Sequence, residues 1–157
     1  MTKKFIHPLM VNNITSTDRN VAASFIKNNT ILTQSKKVIE FEKQWSKWLG
    51  VKYSVFVNSG SSANYLTMLA LKILHGNNWE IIVPSLTWVS DIVSVINNGF
   101  RAVFVDINLK NLCMSEVDII KKINKNTKAI FITHAQGFNG LSDNLLNIVK
   151  KKKRINH

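Results

Sequence analysis

Residues 57–71 read VNSGSSANYLTMLAL, and the way this stretch folds decides the architecture. An apolar β-type run at residues 53–57, YSVFV, feeds the small-residue turn NSGSSAN. A helical pattern follows, with Leu66, Leu69, Ala70 and Ile73 spaced to share one face. Strand, small turn and helix together make an anion site. Turn N–H groups point outward, and the helix N-terminus adds a partial positive charge. The hydroxyls of Ser59, Ser61 and Ser62 are further donors, so the expected ligand is a phosphate. A serine N-cap on a tight turn produces the same letters, and the stretch alone leaves both readings open.

Outward from it the pattern alternates. A short helix starts at Thr17, TDRNVAASFIKNN. A second covers about residues 35–49, where Val38, Phe41, Trp45 and Trp48 recur at three- and four-residue spacing, and Gly50 stops it. Strands are expected at 54–57, 80–83 (ending at Pro84), 101–106 and 129–133. Helices are expected at 88–97, closed by Asn98-Gly99, at 115–123 with Ser115 as cap, and from Ser142 into the lysines. The runs FV, IIV, AVFV and AIFI are short and lack period-two alternation, which is how strands buried on both faces read. Four such strands between helices predict an α/β fold, a mostly parallel sheet with helices on both faces.

Composition sets the outer bounds. The 157 residues suffice for one domain with a core, and 45% are apolar. No apolar run reaches membrane-spanning length, and the start MTKKFIHPLM lacks the apolar core of a signal peptide. The expected setting is the cytoplasm, with no membrane partner. A single cysteine, Cys113, permits no internal disulfide and has no metal-ligand spacing. The net charge of +12 raises the question of nucleic acid. Its lysines are scattered, however, and the one dense run, 150–154, has no aromatic residues between its charges. A solvated tail is the reading adopted, and no nucleic-acid partner is expected.

Ligands of such sheets gather at the carboxyl ends of the strands. Three segments converge there: 58–64, 84–91 and 134–140. Trp88, in PSLTWVSD, is a flat ring just past a strand end, suited to stacking on a planar ligand and equally readable as a core residue. Trp45, Trp48 and Trp79 are expected in the core. His134 and Gln136 read as ligand-orienting groups or as satisfied polar groups. Asp91 and Asp106 also lie near strand ends, with Asp106 assigned to the turn VDINLKN.

The order and spacing of four segments, TQSKKVIEFEKQWSKWLG, YSVFVNSGSSANYLTMLAL, EIIVPSLTWVSDIVSVINNGFRAVFVDI and NTKAIFITHAQGFNG, resemble the DegT/DnrJ/EryC1/StrS sugar aminotransferases. These are pyridoxal 5'-phosphate (PLP) enzymes of fold type I. The match runs over about residues 32–140, and the GSSAN turn is similar to the branch that includes nucleotide-sugar 3-dehydratases. The resemblance implies that Gly60, Ser61 and Ser62 bind the cofactor phosphate and that Trp88 stacks on the pyridine ring. His134 and Gly137 would lie in a loop beneath it. It also implies a homodimer acting on nucleotide-linked keto sugars with an amino donor, commonly glutamate, for surface polysaccharides or glycosylated metabolites.

On this reading residues 1–33 are an N-terminal arm and short helix, 34–149 a partial PLP-binding large domain, and 150–157 a basic tail. No position here matches the family's Schiff-base lysine, or the histidine that replaces it in dehydratases. None matches the aspartate that pairs with the pyridine nitrogen, so no catalytic residue is assigned. The expectation is an amino-terminal fragment of an aminotransferase, inactive alone and poorly soluble, with RINH as out-of-frame sequence after the lysine run. The alternatives are a fragment of a 3-dehydratase using PLP or its amine form, or a non-catalytic protein that binds a phosphorylated ligand or a partner. An unrelated nucleotide-binding domain is disfavoured by the lack of a GxGxxG or GKS/T pattern.

Overall fold

The structure, a computed structural model, describes residues 13–155. Residues 1–12 of the expected arm, and Asn156 and His157 of the expected tail, lie outside that range. The chain divides into two compact units after Phe56.

In the first unit, α1 (Ser16–Asn28) opens on a reciprocal cap. The Thr15 hydroxyl accepts the Asp18 N–H, and the Asp18 carboxylate accepts the Thr15 N–H at 2.8 Å. Helix α2 (Lys36–Leu49) ends at Gly50, whose φ of 74° is the left-handed C′ conformation, with its N–H on the Ser46 carbonyl. Along α2, Phe41, Trp45 and Trp48 form a row of ring contacts with centroids 5.7 and 5.0 Å apart. The edge of Phe56 meets Phe41 at 5.4 Å. Trp45 and Trp48 nevertheless remain 45% and 75% exposed. They pack on one another rather than in the core expected for them.

The strand expected at 54–57 does not form. The segment is engaged sideways: the Phe56 backbone N–H donates to the Glu42 carboxylate at 2.8 Å, and the Ser46 side-chain hydroxyl donates to that of Ser54 at 2.8 Å. A backbone donor spent on a helix side chain is lost to a sheet ladder.

The second unit runs α3 (Gly60–His75), β1 (Glu80–Pro84), α4 (Val89–Asn97), β2 (Arg101–Val105), α5 (Glu116–Lys122), β3 (Thr127–Ile130), a 3-10 turn (Ala135–Gly137) and α6 (Asp143–Ile155). Strand β1 lies between β2 and β3, parallel to both, with Ile82 opposite Val103 and Ile130. The described sheet thus has three strands where four were expected, all parallel. Strand β1 is buried end to end, as the run EIIVP predicts. Its successive side chains serve opposite faces. Ile81 and Val83 pack with Met68 of α3, Val95 of α4 and Phe100. Ile82 packs with Val105, Met114, Ile119 of α5 and Leu145 of α6. Helices therefore cover both faces of the central strand.

Helix α3 is rotated from the expected setting. Met68 is buried and Leu71 packs beside it, whereas Leu66 is 43% and Ile73 76% exposed. Residues 66, 68–71, 73 and 74 are all apolar, so periodicity did not single out a face. Polar ties set the rotation instead: Asn64 bonds Asp91 at 2.6 Å, and the Tyr65 carbonyl accepts from Asn98. The remaining buried charge, Glu80, is paired with Arg101 and accepts from Asn124 at 2.8 Å, as burial of a carboxylate requires. Ser115 caps α5, Asn98-Gly99 closes α4, and Ser142 accepts the Leu145 N–H at the start of α6, all as expected.

Candidate functional site

The N-terminus of α3 combines a cap with open donors. The Ser59 hydroxyl accepts the Ser62 N–H at 3.1 Å, and the Ala63 N–H returns to the Ser59 carbonyl. The N–H groups of Gly60 and Ser61 have no partner among the described residues, as the first turn of a helix leaves them. The side chains divide less evenly than the sequence suggests. The Ser62 hydroxyl donates to Asn58 at 2.6 Å, and that of Ser59 to Ser62 at 3.1 Å. Only the exposed Ser61 hydroxyl is uncommitted. The serine cap is present, and the first-turn N–H groups of Gly60 and Ser61 stay open beside it. A methyl group placed on Gly60 would meet no atom within 4 Å, so the space around this residue is open.

Trp88 is the N-cap residue of α4 and is 73% exposed, so it is not a core tryptophan. Trp79, by contrast, packs against the core as expected. His134, just past β3, is exposed and opens the 3-10 turn. Its Nδ1 accepts the Gly140 N–H at 3.1 Å, which leaves Nε2 as the free ring nitrogen. Gln136 and Gly137 both take positive φ in that turn, 53° and 83°.

The three segments meet through a residue that sequence reasoning noted but gave no role. Asp91, 7% exposed, accepts from Asn64 of α3, from Thr87 beside Trp88, and from Thr133 beside His134 at 3.1 Å. The Thr87 and Thr133 hydroxyls also touch at 2.6 Å. The only local sign of this network is the four-residue spacing of Thr87 and Asp91. Asp106 stays in its turn, accepting the Ile107 N–H at 2.7 Å.

Chemically the edge presents two backbone donors, a free hydroxyl, a bare indole and an imidazole nitrogen, which suits a phosphorylated planar ligand. Every lysine with a described side chain is exposed except Lys72, which is half-buried. No helix among the described residues is long and apolar enough to cross a membrane.

The chain is similar in sequence and fold to known proteins. A model of the DegT/DnrJ/EryC1/StrS aminotransferase family matches residues 12–153. The chain is 31% identical over 130 residues to GDP-perosamine synthase of Vibrio cholerae, covering 83% of this chain and 35% of that protein. It is 33% identical over 118 residues to GDP-4-keto-6-deoxy-D-mannose 3-dehydratase of Yersinia pseudotuberculosis, covering 71% and 30%. The solved structure of the E. coli GDP-4-keto-6-deoxy-D-mannose-3-dehydratase with bound hydrated PLP matches with a TM-score of 0.74 at 29% identity, covering 81% of this chain and 33% of that one. The chain thus spans about a third of the length of the curated relatives it matches and carries part of the fold-type I architecture. It belongs to the DegT/DnrJ/EryC1/StrS aminotransferase family.

Proposed function

We propose that this chain supplies the phosphate cradle and ring platform of a PLP-dependent enzyme that transfers an amino group to a nucleotide-linked keto sugar. The observation that carries the reading is the pair of N–H groups at Gly60 and Ser61 without a partner among the described residues, with open space around Gly60. A phosphate dianion is the ligand that backbone donors at a helix N-terminus favour. Gly60, Ser61 and Ser62 would hold the phosphate, with Ser62 contributing rigidity through Asn58. Trp88 would take the flat face of the ring, and His134 would approach from the turn beyond β3. When bound, PLP supplies an electron sink for charge developing next to the transferred amino group. The residues named here bind and orient, and none is given a proton-transfer role.

The same reading carries a homodimer in the cytoplasm, glutamate as amino donor, and products used in surface polysaccharide or glycosylated metabolites. A second reading, 3-dehydration of the keto sugar, is favoured by the 33% identity to a 3-dehydratase.

Pyridoxamine 5'-phosphate is the probe of choice, because it has no aldehyde to condense with surface lysines. Titration of the 157-residue chain, followed by tryptophan quenching, is expected to saturate. Inorganic phosphate is expected to compete, dephosphorylated pyridoxamine to bind at least about tenfold more weakly, and Trp88→Phe to lose most of the quench. Equal binding of the two amines would sink the phosphate assignment.

A further inference from the structure

We propose that Asp91 is a positioning residue that holds the ring platform in register with the phosphate cradle; the inference rests on the PLP reading above. Its carboxylate lies in the first turn of α4 and is buried. Oδ1 accepts from Asn64 Nδ2 at 2.6 Å. Oδ2 accepts from the Thr87 and Thr133 hydroxyls, which also contact each other. Each donor is adjacent to a part of the site. Asn64 lies two residues beyond Ser62 on α3, Thr87 precedes Trp88, and Thr133 precedes His134. One carboxylate thus joins a helix N-terminus, a strand-to-helix loop and a strand exit.

All three side-chain donors are neutral, and no cation forms an ion pair with Asp91 among the described residues. The role is therefore geometric. An asparagine at this position can accept from the two threonines through its oxygen. Its amide can meet the Asn64 oxygen once the Asn64 side chain flips, since that oxygen has no partner among the described residues. An alanine leaves three half-buried donors without their acceptor. The cradle itself closes through Asn58, Ser59 and Ser62, none of which touches Asp91. Loss of the carboxylate should therefore separate ring binding from phosphate binding.

The test uses Asp91→Ala and Asp91→Asn in the full 157-residue chain, with Thr133→Val as a milder variant should Asp91→Ala fail to fold. Two readouts are taken: dissociation constants for pyridoxamine 5'-phosphate and for inorganic phosphate, and ligand-free hydrogen exchange of residues 85–90 and 131–138. Asp91→Ala is expected to weaken pyridoxamine 5'-phosphate about tenfold while phosphate changes less than about twofold. Exchange in both segments is expected to accelerate, and Asp91→Asn is expected to restore both readouts. Thr133→Val should show the same split at smaller size. Parallel loss of both ligands, failure of Asp91→Asn to restore, or unchanged exchange would each overturn the proposal. Should the unaltered chain bind no pyridoxamine 5'-phosphate, the cofactor reading fails by itself. The ligand-free exchange then decides the positioning role: acceleration reversed by asparagine supports it, and unchanged exchange removes it.

Discussion

A single methyl group at position 60 is expected to separate binding from folding. Gly60 begins α3 with an ordinary φ, and a Cβ there meets nothing within 4 Å. Alanine is the better helix former, by up to about 1 kcal/mol in a helix interior. Gly60→Ala is therefore expected to leave the melting temperature unchanged or slightly raised. On the proposed site the added methyl takes up part of the open space a bound anion would use, so affinity for phosphate and pyridoxamine 5'-phosphate should fall severalfold. Thermal melts and titrations on the same sample check this, and unchanged affinity would move the anion away from Gly60. Gly140 is the opposite case. A Cβ there would lie 3.0 Å from Cys113 Cβ and 3.3 Å from Ile132 Cγ2, so that glycine serves packing.

At the scale of elements, the contact between α5 and α6 is tied by Glu116. Its carboxylate accepts from the Ser142 hydroxyl and from Asn144 Nδ2 at 2.6 Å. These bonds, that of Ser142 first, hold the Glu116 carboxyl below the usual glutamate value. A carboxyl depressed in the folded state contributes stability that is fully present above its unfolded pKa. That contribution is lost as the pH falls through the lower folded value. The Ser142 hydroxyl also accepts the Leu145 N–H at 3.0 Å, so acid should loosen the start of α6 together with the contact. Acid titration of the helical circular dichroism should show this loss in the unaltered chain, and Glu116→Gln should flatten it. Identical titrations would assign the acid sensitivity elsewhere, for example to Asp18, whose carboxyl is lowered by its bonds to Thr15.

At the scale of the whole molecule, apolar surface dominates behaviour in solution. Tyr53, Val55, Ile73, Leu74, Trp48 and Trp88 are each more than 70% exposed. Strands β2 and β3 each pair on one side only within the described sheet. Exposed apolar side chains and unpaired strand edges favour association between chains. The isolated chain is therefore expected to sediment as species heavier than its 17.8 kDa and to bind a hydrophobic dye in the folded state. A monodisperse monomer that unfolds cooperatively without dye binding would overturn this expectation.

Much of this was legible in the sequence because the deciding terms are local. Caps at Ser59 and Ser115, the stop at Gly50 and the doubly buried run EIIVP depend on residues within one or two turns. Once β1 is read as buried on both faces, a parallel sheet clad by helices follows, and with it the expectation of a site at the strand ends. The Gly60–Ser61 donors follow from the same helix-end rule. What the tertiary structure alone decided depends on partners distant in the chain. The β-type letters of YSVFV yielded no strand, because Glu42 and Ser46 of α2 engage that segment. An almost uniformly apolar α3 took its rotation from Asn64 and Tyr65, not from its own period. The Asp91 network joins residues 27, 42 and 46 positions apart. No local propensity encodes such a pairing, since it exists only after the sheet has brought the ends of β1 and β3 side by side.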